Sequence, residues 1–163
     1  MTAKEIIEQL KFLGGYHSIV IPEFTYGGLR IDALVIDLRD RWCRGFEVKV
    51  DRGDFLKDNK WTLYTQFCSS LTIACPRDLI KKEEVENPFG LLWVDKGNKP
   101  PWKRFEWIKR PRNFQKRNSL SWVWTYLKVL EQEFPRMFFE LDKLKVESEW
   151  LKKNNNKLIG GEK

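Results

Sequence analysis

Two neighbouring segments of this sequence carry acids and a lysine at a spacing that could support hydrolysis of phosphodiester bonds. Asp32 lies in the segment Leu29–Leu38, and Glu47 and Lys49 lie in the segment Arg41–Val50. Both segments alternate polar and apolar residues, which is typical of β-strands. Because side chains alternate along a strand, Glu47 and Lys49 share one face. Asp32 on the adjacent strand can reach the same place.

These residue types match the needs of a phosphodiesterase that uses Mg²⁺. Mg²⁺ prefers hard oxygen ligands, keeps several waters and usually takes one or two protein carboxylates. Asp32 and Glu47, helped by the backbone carbonyl of Val48, could therefore hold a metal that binds a phosphate oxygen and acidifies a water; Mn²⁺ is expected to substitute. Lys49 would orient that water or stabilise the developing charge. The competing interpretation is a solvated surface ion pair, which is common on strands and contributes little stability.

The surrounding residues resemble a known family. Asp32, followed by Glu47-x-Lys49 at the end of a strand and then by a helix, resembles the core of the PD-(D/E)XK nuclease superfamily. More narrowly, residues 47–68 read Glu-Val-Lys-x-x-Arg-x-Asp-Phe-x-x-Asp-x-Lys-Trp-x-x-Tyr-x-x-x-Cys and are similar to the MmcB-type DNA repair proteins. Ile73–Pro76 and Gly90–Asp95 are similar to the next two strands of that family. The resemblance covers roughly residues 5 to 130.

This resemblance implies a fold, an activity and a set of site residues. The implied fold is α/β, with a restriction-endonuclease-like core in which helices flank a mixed central sheet. The implied activity is that of a Mg²⁺-dependent endonuclease that acts on DNA in repair or processing, with Asp32, Glu47 and Lys49 as catalytic residues. Glu23 also fits the pattern and could approach the metal across a hairpin. An acid on the first helix joins the metal site in several branches, which makes Glu8 a further candidate.

The charge of the chain favours an anionic partner. Its 163 residues carry a formal net charge of +7, and DNA is the partner that the resemblance implies. A helix is predicted after Val50, and on it Lys57, Lys60 and Tyr64 share one face. The segment 96–117 is strongly basic and carries interleaved aromatic residues, most of which are predicted to lie in the core. The candidate residues for binding nucleic acid are Arg30, Arg52, Lys57, Lys60, Tyr64, Lys103, Arg104, Lys109 and Arg110.

The hydrophobic pattern predicts one domain and a helical extension. A nuclease-like core is predicted over residues 1–117, helices over 118–152 and a disordered tail over 153–163. The C-terminal helices either pack on the core or form the face of a homodimer. The predicted core elements are helix Ala3–Phe12, strands His17–Phe24, Leu29–Leu38, Arg41–Val50, Leu71–Cys75 and Leu91–Val94, a charged helix or turn at Asp78–Glu86, and a final strand at Trp102–Ile108.

Several classes of function are disfavoured by composition. Three cysteines and one histidine, His17, do not have the spacing of a zinc site, so buried thiols are expected. No stretch approaches the length of a membrane span and no signal-peptide pattern is visible, so a cytoplasmic protein without membrane contact is expected. The alternative to a nuclease is a non-catalytic module of the same fold that binds nucleic acid or a repair partner.

Overall fold

The structure, a computed structural model, describes residues 1–13, 18–37, 42–58, 60–97, 99–114, 129–130 and 132–135. The chain divides into two compact units, Met1–Tyr126 and Leu127–Lys163, and each is considered by itself. In the second unit the described residues are helical. The predicted helices of 118–152 and the predicted tail of 153–163 otherwise lie outside the described residues, as does His17.

The first unit is built on one six-stranded sheet whose strands follow the order of the chain. The strands are β1 (Ser18–Tyr26), β2 (Leu29–Asp37), β3 (Trp42–Val48), β4 (Ser70–Pro76), β5 (Gly90–Val94) and β6 (Phe105–Lys109). β1, β2 and β3 are antiparallel, β3, β4 and β5 are parallel, and β6 returns antiparallel to β5. The predicted mixed α/β architecture is therefore confirmed.

One face of the sheet is covered by the helix α1 (Ala3–Leu10). The Thr2 hydroxyl accepts a hydrogen bond from the Glu5 N–H, and the Glu5 carboxylate accepts one from the Thr2 N–H. This reciprocal capping box sets the start of the helix. The helix lays its apolar stripe on the sheet and closes a hydrophobic core. The buried members of this core are Ile6, Leu10, Ala33, Val35, Phe46, Val48, Ala74, Leu92 and Val94.

The opposite face of the sheet is covered by a 3₁₀-helix at Trp61–Gln66, which contacts β2 and β4. The alternation in β3 predicts one apolar face and one polar face. The competing interpretation of a solvated surface ion pair is wrong, because Glu47 and Lys49 are each 5% exposed, as is Val48. The 3₁₀-helix covers these polar side chains and so shields them from water.

The chain between β3 and β4 differs from the prediction. The helix α2 (Arg52–Lys57) begins where predicted, with the Asp51 side chain accepting a hydrogen bond from the Asp54 N–H. A single helix carrying Lys57, Lys60 and Tyr64 is wrong, however. Asp58 leaves the helix in an extended conformation (φ −86°, ψ 121°), and the 3₁₀-helix follows as a separate element.

The last strand is shorter than predicted. β6 begins at Phe105, and Phe105 and Trp107 pack against the core as expected. Trp102 was predicted to belong to this strand, but it lies in a separate 3₁₀ turn (Pro101–Lys103) and is 66% exposed. A 3₁₀ turn at Lys82–Glu84 takes the place of the charged helix or turn predicted before β5.

Two expectations about the class of protein can be compared with the structure. All three cysteines are buried and free, as expected. Burial raises the pKa of Cys43 to about 12, so this thiol is inert at neutral pH. Of the helices in the described ranges, none combines the length and the apolar composition that crossing a membrane requires.

Candidate active site

Asp32 and Glu47 meet at the place where β2 and β3 separate. The paired residues run from Asp37↔Trp42 to Ala33↔Phe46, so Asp32 and Glu47 occupy the next facing positions. Beyond that point the Val48 N–H donates a hydrogen bond to Asp32 Oδ2 at 2.8 Å. The Val48 N–H therefore bonds to the Asp32 side chain, whereas the preceding residues of β3 pair with the backbone of β2. This bond places the carboxylate beside the backbone of Val48, whose carbonyl was predicted to assist the metal.

Glu47 is the most perturbed acid of the site. Its Oε1 atom is buried without a hydrogen-bond partner in the described part of the chain. Burial and, to a smaller extent, the charge of Asp32 raise the pKa of Glu47 to about 7, against the opposing effects of Tyr64 and Lys49. The Tyr64 hydroxyl lies nearby but donates to the Arg30 carbonyl at 3.0 Å.

Lys49 is held by three carboxylates. Its Nζ lies 2.6 Å from Asp58 Oδ2, 3.2 Å from Asp54 Oδ2 and 3.8 Å from Glu47 Oε2. Burial acts to lower the pKa of Lys49, but the hydrogen bond and charge of Asp58, reinforced by Asp54 and Glu47, outweigh it, and the pKa is raised. The ammonium group therefore stays charged although Lys49 is only 5% exposed.

Asp58 reaches Lys49 because the helix stops one residue earlier. Its Oδ1 atom accepts a hydrogen bond from the Lys60 N–H at 3.0 Å, while Oδ2 pairs with Lys49. Burial acts to raise the pKa of Asp58, but its hydrogen bonds to Lys49 and Lys60 more than offset this effect and lower the pKa. Asp58 belongs to the motif of residues 47–68 but was not assigned to the site from the sequence. The dipeptide Asp58-Asn59 was the available signal, since both residue types favour turns over helix interiors.

A cavity of about 510 Å³ lies above these groups, and we call it the Glu47 cavity. Acids and Lys49 form its floor, and exposed cations stand at its rim. The structure thus brings together the three predicted catalytic residues and four of the residues predicted to bind nucleic acid. The lining residues are Gly28, Leu29, Arg30, Asp32, Glu47, Lys49, Asp54, Lys57, Asp58, Lys60, Leu63 and Tyr64.

Two further candidate ligands lie elsewhere. Glu23 faces Asp32 across the β1–β2 hairpin by position, but its side chain is 70% exposed and points toward Arg30, with Oε1 3.9 Å from the Arg30 Nη1. Glu8 lies on α1 and pairs with Lys11 at 2.7 Å. Because α1 covers the other face of the sheet, Glu8 is separated from the Glu47 cavity by the sheet itself.

The other predicted nucleic-acid contacts are dispersed. The Arg52 guanidinium is engaged by the Glu84 carboxylate and by the Leu79 carbonyl, away from the cavity. Arg104 Nε donates to the Lys99 carbonyl. The remaining three are placed as follows: Lys103 is exposed in the 3₁₀ turn before β6, Lys109 donates to the Val85 carbonyl, and Arg110 lies over the Trp107 ring.

The donor set of the Glu47 cavity suits a divalent cation. Four acids line it together with Lys49 and three rim cations, so the charges of the lining balance, and Glu47 has a buried oxygen without a partner among the described residues. Asp32 and Glu47 are the pair that could hold Mg²⁺, which commonly takes only one or two protein carboxylates. Among the described residues, no group of three or more His, Cys, Asp or Glu side chains is arranged to hold a metal ion.

Comparison with known proteins supports the fold and leaves the activity open. No protein-family model matches the chain, and no curated protein matches it. The chain is similar to a solved structure described as a protein of unknown function from Silicibacter pomeroyi, with a TM-score of 0.67 and 20% sequence identity. The match covers 84% of this chain and 90% of the other. At that identity the likeness extends to the fold alone.

Proposed function

We propose that this protein is a metal-dependent nuclease that cleaves phosphodiester bonds of DNA, with a restriction-endonuclease-like core. The observation that carries the proposal is the buried Glu47 carboxylate beside Asp32 and Lys49 at the floor of a cavity, where one of its oxygens has no partner among the residues that the structure describes. Burying such a group costs free energy that packing does not recover. The same residues carry the resemblance to MmcB-type DNA repair proteins, and membership of that family is part of the proposal.

The metal in this proposal is Mg²⁺, with Mn²⁺ as a substitute. When bound, it supplies a Lewis acid for a phosphate oxygen and lowers the pKa of a water. Asp32 and Glu47 supply carboxylate oxygens to hold it. A Glu47 pKa of about 7 means that this side chain ionises near neutral pH, at a modest cost in protonation free energy.

Lys49 has the role of stabilising charge on the reacting phosphate. Its ammonium lies 3.8 Å from Glu47 and is kept protonated by Asp58 and Asp54. A fixed cation in a site with little water stabilises developing negative charge more strongly than it would in bulk water. Asp58 acts as a positioning residue, because its 2.6 Å contact determines where the ammonium sits.

The rim of the cavity supports a nucleic-acid substrate. Arg30, Lys57 and Lys60 are exposed and surround an acidic floor. Cations at the rim can neutralise phosphates on either side of the reacting one without reading the base sequence. This arrangement suits a polyanionic chain better than a small neutral substrate.

One observation favours the non-catalytic alternative. Lys49 is already paired with Asp58 at 2.6 Å, so a substrate phosphate must compete with that carboxylate. A module that keeps this ion pair intact would bind DNA through the rim cations alone. The two functions differ in whether Asp32 and Glu47 are needed.

The deciding experiment is cleavage of labelled single-stranded, duplex and branched DNAs with Mg²⁺ or Mn²⁺, with binding measured on the same samples. Lys49→Ala and Asp32→Asn are compared with Glu83→Gln, which removes an exposed acid that does not line the cavity. We expect metal-dependent cutting that falls by about 100-fold or more in the first two variants, with binding largely kept. Binding without cutting on every DNA would establish the non-catalytic module, and cutting that survives both substitutions would place the centre elsewhere.

A further inference from the structure

A second cavity lies at the opposite end of β3. It has a volume of about 200 Å³ and we call it the Arg44 cavity. Five residues separate Arg44 from Lys49, which corresponds to about 16 Å along a strand. Arg44 also lies on the face of Phe46 and Val48, whereas Glu47 lies on the other face. The two cavities are therefore separate sites. The lining residues are Trp42, Arg44, Ser70, Trp107, Arg110, Pro111 and Asn113.

The Arg44 cavity has positive charge without a counter-ion. Two guanidinium groups line it, and none of the described residues that line it is an acid. In the described part of the chain, neither Arg44 nor Arg110 forms an ion pair, although Arg44 is half-buried. Other arginines behave differently, since Arg52 pairs with Glu84, and Arg77 with Asp95. A partly desolvated guanidinium without a carboxylate is well placed to take an anion that carries planar oxygen acceptors, such as a phosphate.

The Arg44 cavity also has an aromatic wall. The Arg110 guanidinium lies 5.4 Å from the centroid of the Trp107 ring, which holds the indole and the cation in one stacked unit. Trp42, 8% exposed, lies at the start of β3 and completes the wall. Indole rings and guanidinium planes are the surfaces on which unpaired bases stack in proteins that bind single strands. The bases of a duplex are already paired and stacked, so stacking on these surfaces favours a single strand.

We propose that the Arg44 cavity binds one phosphate and one unstacked base of a single-stranded nucleic acid. Arg44 and Arg110 take the phosphate, with the Ser70 hydroxyl and the Asn113 amide as additional donors, and Trp107 takes the base. This site requires neither a metal nor cleavage, and it does not rest on the function proposed for the Glu47 cavity. It adds a contact that keeps a single-stranded segment on the face of the sheet opposite the acids.

Binding of fluorescein-labelled oligothymidylate, measured by anisotropy in EDTA, tests this proposal without any contribution from cleavage. Arg44→Gln and Arg110→Gln are each expected to weaken binding about tenfold and to lower its salt dependence. The matched control is Arg112→Gln, which removes the same charge from an exposed residue that does not line the cavity, and a change below about twofold is expected. Circular dichroism melting identifies any variant that fails to fold. If Arg44→Gln does not fold, the test rests on Arg110→Gln, since Arg110 is exposed.

An abasic oligonucleotide of the same length separates the base from the phosphate. We expect it to bind wild type about tenfold more weakly than oligothymidylate, because the stacking contribution is lost. Thymidine monophosphate tests the source of the ligand: weak competition is expected for a contact to a single strand, and efficient competition would overturn the proposal in favour of a mononucleotide pocket. Equal affinity of the Arg44, Arg110 and Arg112 variants would overturn the proposal, as would equal binding of the abasic strand.

Discussion

At the end of β3, side chains on the two faces of the sheet are buried to the same extent and differ in chemistry. Phe46 and Val48 are 0% and 5% exposed beneath α1, in a cluster of apolar side chains. Glu47 and Lys49 are each 5% exposed on the other face, beneath the 3₁₀-helix, among acids and a tyrosine. The first pair accounts for why the sheet and α1 hold together. The second pair, Glu47 and Lys49, does not contribute apolar packing of this kind.

This difference shows that the fold loses stability at the polar side chains of Glu47 and Lys49. Apolar burial contributes free energy in proportion to the area removed from water. An ionisable group in the same setting costs free energy unless it is paired, and Lys49 is paired whereas one oxygen of Glu47 is not. Residues that reduce stability without a packing role are concentrated at functional sites.

The largest stability change is expected from the apolar face. Phe46→Ala removes a fully buried ring from the cluster beneath α1 and leaves a cavity. Urea denaturation should show a loss of about 3–5 kcal/mol in the free energy of unfolding. A loss below about 1 kcal/mol would mean that this face is not the main core.

Substitution of Glu47 on the polar face should instead increase the free energy of unfolding. The pKa of Glu47 is about 7 in the folded protein and 4.5 in the unfolded chain. The free energy of unfolding is therefore highest below pH 4.5, where both states are protonated, and it falls as the pH rises from 4.5 through 7. The loss amounts to about 3 kcal/mol. Glu47→Gln, measured in EDTA, should therefore gain up to about 3 kcal/mol on wild type between pH 5 and pH 8. Parallel pH profiles for the two proteins would show that Glu47 is not desolvated.

A smaller effect is expected from Gly45, which precedes Glu47 on the same face. A Cβ atom there would lie 2.5 Å from Ile31 Cδ1, 3.0 Å from Leu71 Cδ1 and 3.2 Å from Cys68 Sγ. These are side-chain ends in a packed layer, so Gly45→Ala should cost about 1–3 kcal/mol of unfolding free energy. Thermal melts that coincide with those of wild type would mean that this layer is loosely packed.

Much of the sheet was predictable because its strands carry local signals. The alternation in β2 and β3, the apolar run of β4 and the cap at Asp51 gave the elements and the relation of Asp32 to Glu47. Burial of the polar face was not predictable, since it depends on a 3₁₀-helix that packs from a distance. Tertiary pairing with Lys49 also overrides the helical pattern at Asp58, and single-sequence reasoning has no access to that contact.

The Arg44 cavity illustrates a second limit of the sequence. Arg110 was predicted to bind nucleic acid because it lies in a basic segment. Arg44 was not predicted, because it is a single cation inside an apolar strand. Only the register of β3 with β4, which pairs Arg44 with Ser70, places it at a cavity shared with β6. Long-range pairing creates this site, and spacing along the chain does not reveal it.

The most direct test of the account is Mn²⁺ binding, followed by the electron paramagnetic resonance signal of the free ion at pH 7.5. Wild type and Glu83→Gln should bind the ion equally. Glu47→Gln and Asp32→Asn should lose affinity by more than the roughly 10–100-fold that removal of an outer-shell partner costs. Unchanged binding by Glu47→Gln, or no binding by wild type, would contradict the claim that the buried polar face of β3 is a metal-dependent catalytic centre.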